Sequence, residues 1–545
     1  MKKGFLLGLL ALMFAVLVAC TANEDAGKAK DEDSGNGEDA AQAEEKVLLM
    51  NNGEEPTSLN PPEGFDNMSY NVLNNLMEGM TRLGQDDEPE AAMAEDWDVS
   101  DDQKTYTFHI RDDANWSNGD PVTAGDFEFA WKQLLDPETG SPAAFLGYVF
   151  EGGEEFNSGD ADADDVQITA KDDKTLEVTL KEPTGYFLNI ITNPAFFPVN
   201  EKIAQDNEKW YSDADSFVAN GPFKMETWEH DKKIVMVRND QYWDKDTVKL
   251  DKVDWAMVPE TKTEYQMFQS DELDMTEIPS ALADQLIDGD DVVIDDQAGL
   301  YFYRFNVEKE PFQNKKIRKA FAMAVNQNDI VDYVTKNKEE AAHAFVSPGF
   351  KDPSGTDFRE ANGDLVEFDP DKAKELLKEG MEEEGYDELP DVTLTYNTDE
   401  DHKAIAETLQ NMFSDNLGVD VTLKNTEWNV FLEDQKALKH QLSRSSFLFD
   451  YGDPINFLEG FITDSTMNRT GWSNEKYDEL IKQAKSEKDE QKRWEKMEDA
   501  EKLLADEMPF FPIHYYNQVY IYKDNISGIV RHPVGYLELK WADKK

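Results

Sequence analysis

One cysteine stands in 545 residues, Cys20. That excludes an internal disulfide framework and any cysteine-built metal cluster. Basic residues are scarce as well: 54 Lys and Arg face 115 Asp and Glu, a formal net charge of −61. Nucleic acid is thereby excluded as a partner, because phosphate binding draws most of its affinity from a basic patch. Beyond Cys20 no apolar run reaches the ~20 residues that span a bilayer, and there is no internal repeat. Catalytic signatures are missing too. Neither Gly-x-Ser-x-Gly, His-Glu-x-x-His nor a Walker-type phosphate loop occurs. The seven His are scattered, with no i, i+4 pair for a helical metal site. Carboxylate pairs are so abundant that pairing says nothing about glycoside hydrolysis. Asp160, Asp162 and Asp164 open like a calcium loop, but Asp165 and Lys171 stand where Gly and Glu are needed. Nothing in this inventory supports an enzyme, a cofactor or a metal.

What is present begins at the N-terminus. Lys2 and Lys3 precede an almost wholly apolar stretch from Phe5 to Val18, too short to span a membrane and right for a secretory leader. Leu17-Val18-Ala19-Cys20 resembles a bacterial lipobox. This predicts a signal peptide over 1–19 and a diacylated Cys20, which holds the protein firmly because each buried methylene contributes about 0.8 kcal/mol. Residues 21–45 carry nine carboxylates and no aromatic, Leu, Ile or Val, the composition of a flexible tether. The remainder is rich enough for large cores: 39% of the chain is hydrophobic and 11% aromatic.

Strand and helix signals alternate along it, which predicts a mixed α/β protein. Thr105 to Ile110 reads as a strand, then Thr123 and Asp126 cap a helix that Asp136-Pro137 stops. Asp369-Pro370 opens a helix before the strand Val392 to Tyr396. A helix from His402 to Asn416 ends at Gly418, and the strand Val419 to Leu423 follows, a strand–helix–strand unit that implies parallel pairing. Ser473 is expected to cap a helix through Tyr477, Leu480 and Ile481. Pro509 and Pro512 bracket the entry to an aromatic strand from Ile513 to Tyr522.

The remaining signal is aromatic density beside isolated charges. In Arg444-Ser-Ser-Phe-Leu-Phe-Asp450-Tyr-Gly-Asp-Pro454, two charges bracket a segment that otherwise reads as a buried strand. Asp450 is costly to bury without a cation. It either caps the following turn, pairs with a nearby Lys or Arg, or awaits a ligand ammonium group.

At this point the sequence resembles a known family. Thr105–Arg111, Trp116–Phe127, Asn220–Phe223, Arg238–Trp243, Glu272–Met275, Glu427-Trp428, the Asp450 segment and Asn468–Trp472 are similar to the extracellular solute-binding proteins of peptide ABC importers. Within that family the chain looks most like the oligopeptide-binding lipoproteins of Gram-positive bacteria. The resemblance implies a two-lobed clamshell of the periplasmic-binding-protein type with three domains. Domain I takes 46–77, 202–299 and 517–545, domain II takes 78–201, and domain III takes 300–516. An extended oligopeptide is then held between the lobes as an added strand, with its side chains in wet pockets. By position, Asp450 matches the partner of the peptide ammonium group. The backbone of Ser446, Phe447 and Leu448 matches the flanking strand, Trp428 and Tyr516 match pocket aromatics, and Arg444 and His402 match groups that meet the peptide C-terminus.

Pro61–Asn67 should supply the second flanking strand, with Phe65 to Asn67 in contact. Where a relative carries a pocket Tyr after Ser-Pro, this chain has Ala143 after Ser141-Pro142, so that corner is larger or filled from elsewhere. Arg304 is expected either to line a pocket favouring acidic side chains or to be exposed. The implied partners are a peptide, the permease and ATPase subunits of an importer, and the membrane outer face through the lipid, with the protein a monomer. The alternatives are another ligand of the same family (dipeptide, nickel chelate, haem or oligosaccharide) or, further off, a secreted hydrolase or an adhesive lipoprotein. The Asp450, Arg444 and His402 set favours a zwitterion. The acidity suggests a halophilic or alkaliphilic environment.

Overall fold

Three larger sheets organise the chain, each traceable to strands whose apolar residues alternate or run together. The computed structural model describes residues 45–463 and 465–545. The leader, Cys20 and all but the last residue of the tether lie outside it. In the first sheet Val47–Asn51 runs parallel to Lys252–Ala256, which pairs antiparallel with Lys233–Arg238, and that strand with Phe223–Glu229. The second sheet is wholly antiparallel, in the order Ala94–Val99, Thr105–Ile110, Thr175–Thr179 and Ile168–Asp172. Tyr106, Phe108 and Ile110 are its buried face. The helix Ala124–Leu135 packs against this sheet and begins with the expected capping box, Thr123 and Asp126 each bonding the other's backbone N–H. Its Trp131 is fully buried and donates its indole N–H to the carbonyl of Phe196 at 2.6 Å.

The third sheet has six strands: β1 (Met275–Glu277), β2 (Val292–Phe305), β3 (Val392–Asn397), β4 (Val421–Thr426), β5 (Leu442–Leu448) and β6 (Phe510–Tyr522), in the spatial order β1-β6-β2-β5-β3-β4. β3 and β4 are parallel, in the register Val392 to Val421, as the intervening helix requires. That helix runs Glu400–Leu417, starts two residues before the expected His402, and ends at Gly418 with φ 72°. Asp369 caps the helix Pro370–Glu384 as read. Ser473 does not cap the next one. Asn474 does, accepting from the N–H groups of Lys476 and Tyr477, because it is the residue immediately before Glu475–Ser486, while the Ser473 hydroxyl lies 3.1 Å from that of Thr463. Pro512 lies inside β6 and not before it, opposite Phe302, where the β2–β6 register shifts between Tyr301 and Phe302. A proline has no N–H for the ladder, so a bulge is where a strand tolerates one. A second shift falls between Gln297 and Leu300, opposite Tyr516 and Tyr515. No helix among the described residues is long and apolar enough to cross a membrane.

Candidate functional site

β5 positions the first group of expected residues. It pairs with β2 along its whole length, from Leu442 to Leu448, but with β3 only at Leu442 and Ser443. From Arg444 onward its other edge has no strand partner among the described residues. An unpaired edge of this kind is a template for an added strand. Ser446 and Phe447 on this stretch are half-buried, and Leu448 is 45% exposed.

Just beyond the edge, Asp450 closes the strand. Its N–H donates to Asn456 Oδ1 at 2.9 Å, and Asn456 Nδ2 donates to its carboxylate at 3.4 Å. Tyr536 Oη and Asn193 Nδ2 donate to its carbonyl at 3.0 and 3.3 Å. No Lys or Arg among the described residues lies within ion-pair distance. Burial pushes its carboxyl up to about 6, with only the Asn456 hydrogen bond pulling the other way appreciably. Asp450 thus holds a turn through its backbone, while its charge is left uncompensated.

Asp450 lines a cavity of about 160 Å³ with Phe65, Asn67, Tyr70, Leu448 and Tyr536. Phe65 packs edge-on against Tyr70 and against Phe145, each at 6.1 Å. Phe145 lies two residues past Ala143. Ala143 is fully buried, so this aromatic, 44% exposed, stands at the corner near Ser141-Pro142. The segment 61–67 forms no strand. It turns at 61–63 and enters the helix α1 (Asn67–Leu76), whose N-cap Asp66 accepts from the Ser69 N–H at 2.9 Å. The two prolines and the Asx cap account for this: Pro61 and Pro62 offer no N–H to a ladder, and Asp66 commits the next residues to a helix. Asp66 itself is extended at φ −150°.

His402, Tyr516, Tyr301 and His514 line a second cavity, of about 420 Å³, with Glu339 and Asp399. His402 belongs to the first turn of the helix α2 (Glu400–Leu417), and its Nδ1 lies 3.2 Å from Tyr301 Oη. Burial, then the nearby Arg444, push its imidazole down to about 4, so it is neutral near pH 7. Arg444 is buried, with its guanidinium 4.8 Å from the Tyr301 ring centre and 3.5 Å from Asn397 Oδ1. Of the pair expected at the peptide's far end, only Arg444 is charged. A third cavity, of about 380 Å³, shares Asn67 and Gln297 with the first and Gln518 and Tyr520 with the second, so the three adjoin.

Trp428 stands apart. It opens the helix α3 (Trp428–Lys436), is 47% exposed, and stacks on Phe431 at 6.0 Å without lining any of these cavities. Arg304 is not exposed: it is 3% accessible and bonds the Ser445 hydroxyl and the carbonyl of Met467. Tyr536 and Asn193 escaped sequence reading because they reach Asp450 from 86 and 257 residues away. His514 was visible only as one histidine inside an aromatic strand.

The chain is similar to known proteins along its length. Residues 88–469 match the middle part of the bacterial extracellular solute-binding proteins, family 5. The dipeptide-binding protein DppE of Bacillus subtilis is 62% identical over 544 residues, covering 100% of this chain and 99% of its own length. The oligopeptide-binding protein OppA of the same organism is 40% identical, with 98% of each covered. The solved structure of Listeria monocytogenes OppA bound to peptide superposes with a TM-score of 0.74 at 33% identity, covering 92% of this chain and 99% of that one.

Proposed function

The chain belongs to the bacterial extracellular solute-binding proteins of family 5, and from that premise we propose that it is a lipid-anchored, non-enzymatic receptor for short peptides serving an ABC importer. The observation that carries this reading is Asp450, a carboxylate without a cation beside an unpaired strand edge. A peptide laid along Ser446, Phe447 and Leu448 bonds through its backbone whatever its sequence, and its α-ammonium group supplies the missing charge. Phe65 and Asn67 meet it from the other side of the cavity, and Arg444, with neutral His402, takes its C-terminal carboxylate.

Length follows from the strand. Arg444 lies six residues before Asp450, but its guanidinium folds over Tyr301, which pairs with Ser446. About four residues then separate the charged groups, roughly 13 Å at 3.3 Å per residue. That suits three or four peptide residues better than long ones. The relative named for dipeptides makes chain length the finer question. Closure is favoured because contacts from both lobes exist only when the lobes meet on a ligand. The three-domain division is part of the proposal. Its boundaries at 299/300 and 516/517 fall beside the β2–β6 register shift between Gln297 and Leu300, where a ladder bends most easily. Lipidation of Cys20 and docking on a permease complete the reading.

Calorimetry with the free and N-acetylated forms of di-, tri-, tetra- and hexa-alanine tests it. Removing one partner of an enclosed ion pair costs about 3–5 kcal/mol. Acetylation, or Asp450→Ala, is therefore expected to weaken binding at least a hundredfold, with tri- and tetra-alanine the tightest free peptides. Equal affinity for free and acetylated peptides rejects the role of Asp450.

A further inference from the structure

The face of the third sheet opposite Arg444 holds a second group of cations. Residues paired directly across strands share a face. Tyr301 and Tyr303 therefore lie with Ser446 and Arg444, while Phe302 and Arg304 lie with Ser445 and Ser443. On this second face the Arg304 guanidinium bonds the Ser445 hydroxyl and the Met467 carbonyl, and its Nε has no partner. Two residues past Met467, half-buried Arg469 reaches Gln435 Oε1 at 3.4 Å, and its Nε is also unpartnered. Gln435 in turn donates to Ser443 Oγ at 2.9 Å and to the Arg444 carbonyl at 2.7 Å, which brings Arg469 to the edge of β5. His440 nearby is buried with both ring nitrogens unpartnered. Burial and Arg304 push it down to about 3, so it neither adds to nor offsets the charge.

These arginines run against the composition of the chain, which has 115 carboxylates to 54 basic side chains. Arg82, Arg238, Arg318, Arg359 and Arg493 each have a carboxylate within 4.0 Å. Arg111 and Arg531 instead lie 3.8 Å over aromatic rings. Arg304, Arg444 and Arg469 also have no carboxylate within that distance among the described residues, Arg304 and Arg444 lying farther from rings, 5.3 Å from that of Phe302 and 4.8 Å from that of Tyr301. Glu433, the carboxylate that acts on Arg469, is exposed and paired with Lys436 at 3.0 Å. A desolvated guanidinium without a counter-charge is costly, and a ligand carboxylate relieves that cost with charge-assisted hydrogen bonds.

Arg444 is assigned to the peptide terminus, which leaves Arg304 and Arg469. A peptide added along the edge of β5 presents alternate side chains to the two faces. We infer that the receptor prefers peptides with an acidic side chain at the position facing Arg469 and Arg304. The inference rests on the peptide-receptor reading above and extends it from any short peptide to an acidic class.

The test is a scan on the full chain, stripped of bound peptide. Tetra-alanine is compared by calorimetry with its variants carrying Glu or Gln at each position in turn. The expected result is one position at which Glu binds at least tenfold tighter than Gln. That ratio should fall to within about twofold in Arg469→Gln and be partly kept in Arg469→Lys. Arg304→Gln should lower it too, and Arg469, being half-buried, serves if the buried substitution fails to fold. A Glu-to-Gln ratio near one at every position overturns the inference while leaving the peptide reading intact. So does a preference that survives both Arg469→Gln and Arg304→Gln. If tetra-alanine itself does not bind, the peptide reading falls and takes this inference with it.

Discussion

Asp450 carries an opposing demand on stability and binding, and pH separates the two. Its carboxyl titrates at about 6 in the free protein against an ordinary 3.8. A raised folded value means that the folded state holds the proton more tightly than the unfolded one. The group is therefore harmless below pH 4 and destabilising once pH rises past 6. Asp450→Asn should raise the stability of the ligand-free protein at pH 7 by on the order of 2 kcal/mol, and by little at pH 4. Denaturation midpoints at the two pH values measure this. Binding runs the other way. The ammonium partner needs the ionised form, so affinity should be flat from pH 6 to 7.5 and fall up to about tenfold per unit below 6. Proton release in buffers of different ionisation enthalpy checks the same linkage; no release at pH 5.5 would contradict it. Gly299 makes a steric counterpart. A Cβ there would lie 2.9 Å from the Phe447 carbonyl oxygen and 3.0 Å from Tyr516 Cδ2. Gly299→Ala should displace the edge of β5, costing about 1–3 kcal/mol as overpacking and weakening peptide binding more than it lowers stability.

At the scale of elements, β5 has one edge that no strand pairs from Arg444 onward among the described residues. N-methylating one peptide amide that faces this edge removes a donor and strands a carbonyl, a loss of about 1–3 kcal/mol. An N-methyl scan along tetra-alanine should alternate between strong and weak effects. A uniform response would mean that the peptide does not lie as a strand. The neighbouring elements depend on a different kind of polar contact. Glu501 is fully buried and accepts from the Phe345 and Val346 N–H groups, Asn362 and both Arg359 terminal nitrogens. Glu501→Gln would turn donors toward donors, and should destabilise the fold by about 3 kcal/mol or more in chemical denaturation.

Much of this was legible beforehand where the signal was local. The capping box at Thr123, the Gly418 stop and the β3–α2–β4 unit are written within a few residues of one another. Asp450 and Arg444 were legible because a charge inside an aromatic run is anomalous anywhere. The rest depended on distance along the chain. No local pattern brings Tyr536 and Asn193 to Asp450, or Gln435 to Arg469. The second flanking strand was expected from the resemblance alone, and the Asp66 cap instead leads that segment into a helix.

For the whole molecule, the charge of −61 far exceeds what Asp450 and a handful of cations around the adjoining cavities account for. The remaining excess is an outward property that opposes compaction through self-repulsion. Thermal unfolding should move upward between low and molar salt as screening shortens the range of that repulsion from about 30 Å to about 3 Å; an unchanged midpoint would remove the inference of a saline or alkaline habitat.

The β2–β6 ladder has a mechanical consequence. It is paired on both sides of the shift between Gln297 and Leu300, from Val292 with Ile521 through Gln297 with Tyr516 and again from Leu300 with Tyr515, and the other shift follows at once between Tyr301 and Phe302. A ribbon stitched on both sides of so short an irregular stretch bends there more readily than it slides. On the proposed division the lobes share this axle, so a bulkier cargo would leave them ajar by an angle while the bite at the axle keeps its depth.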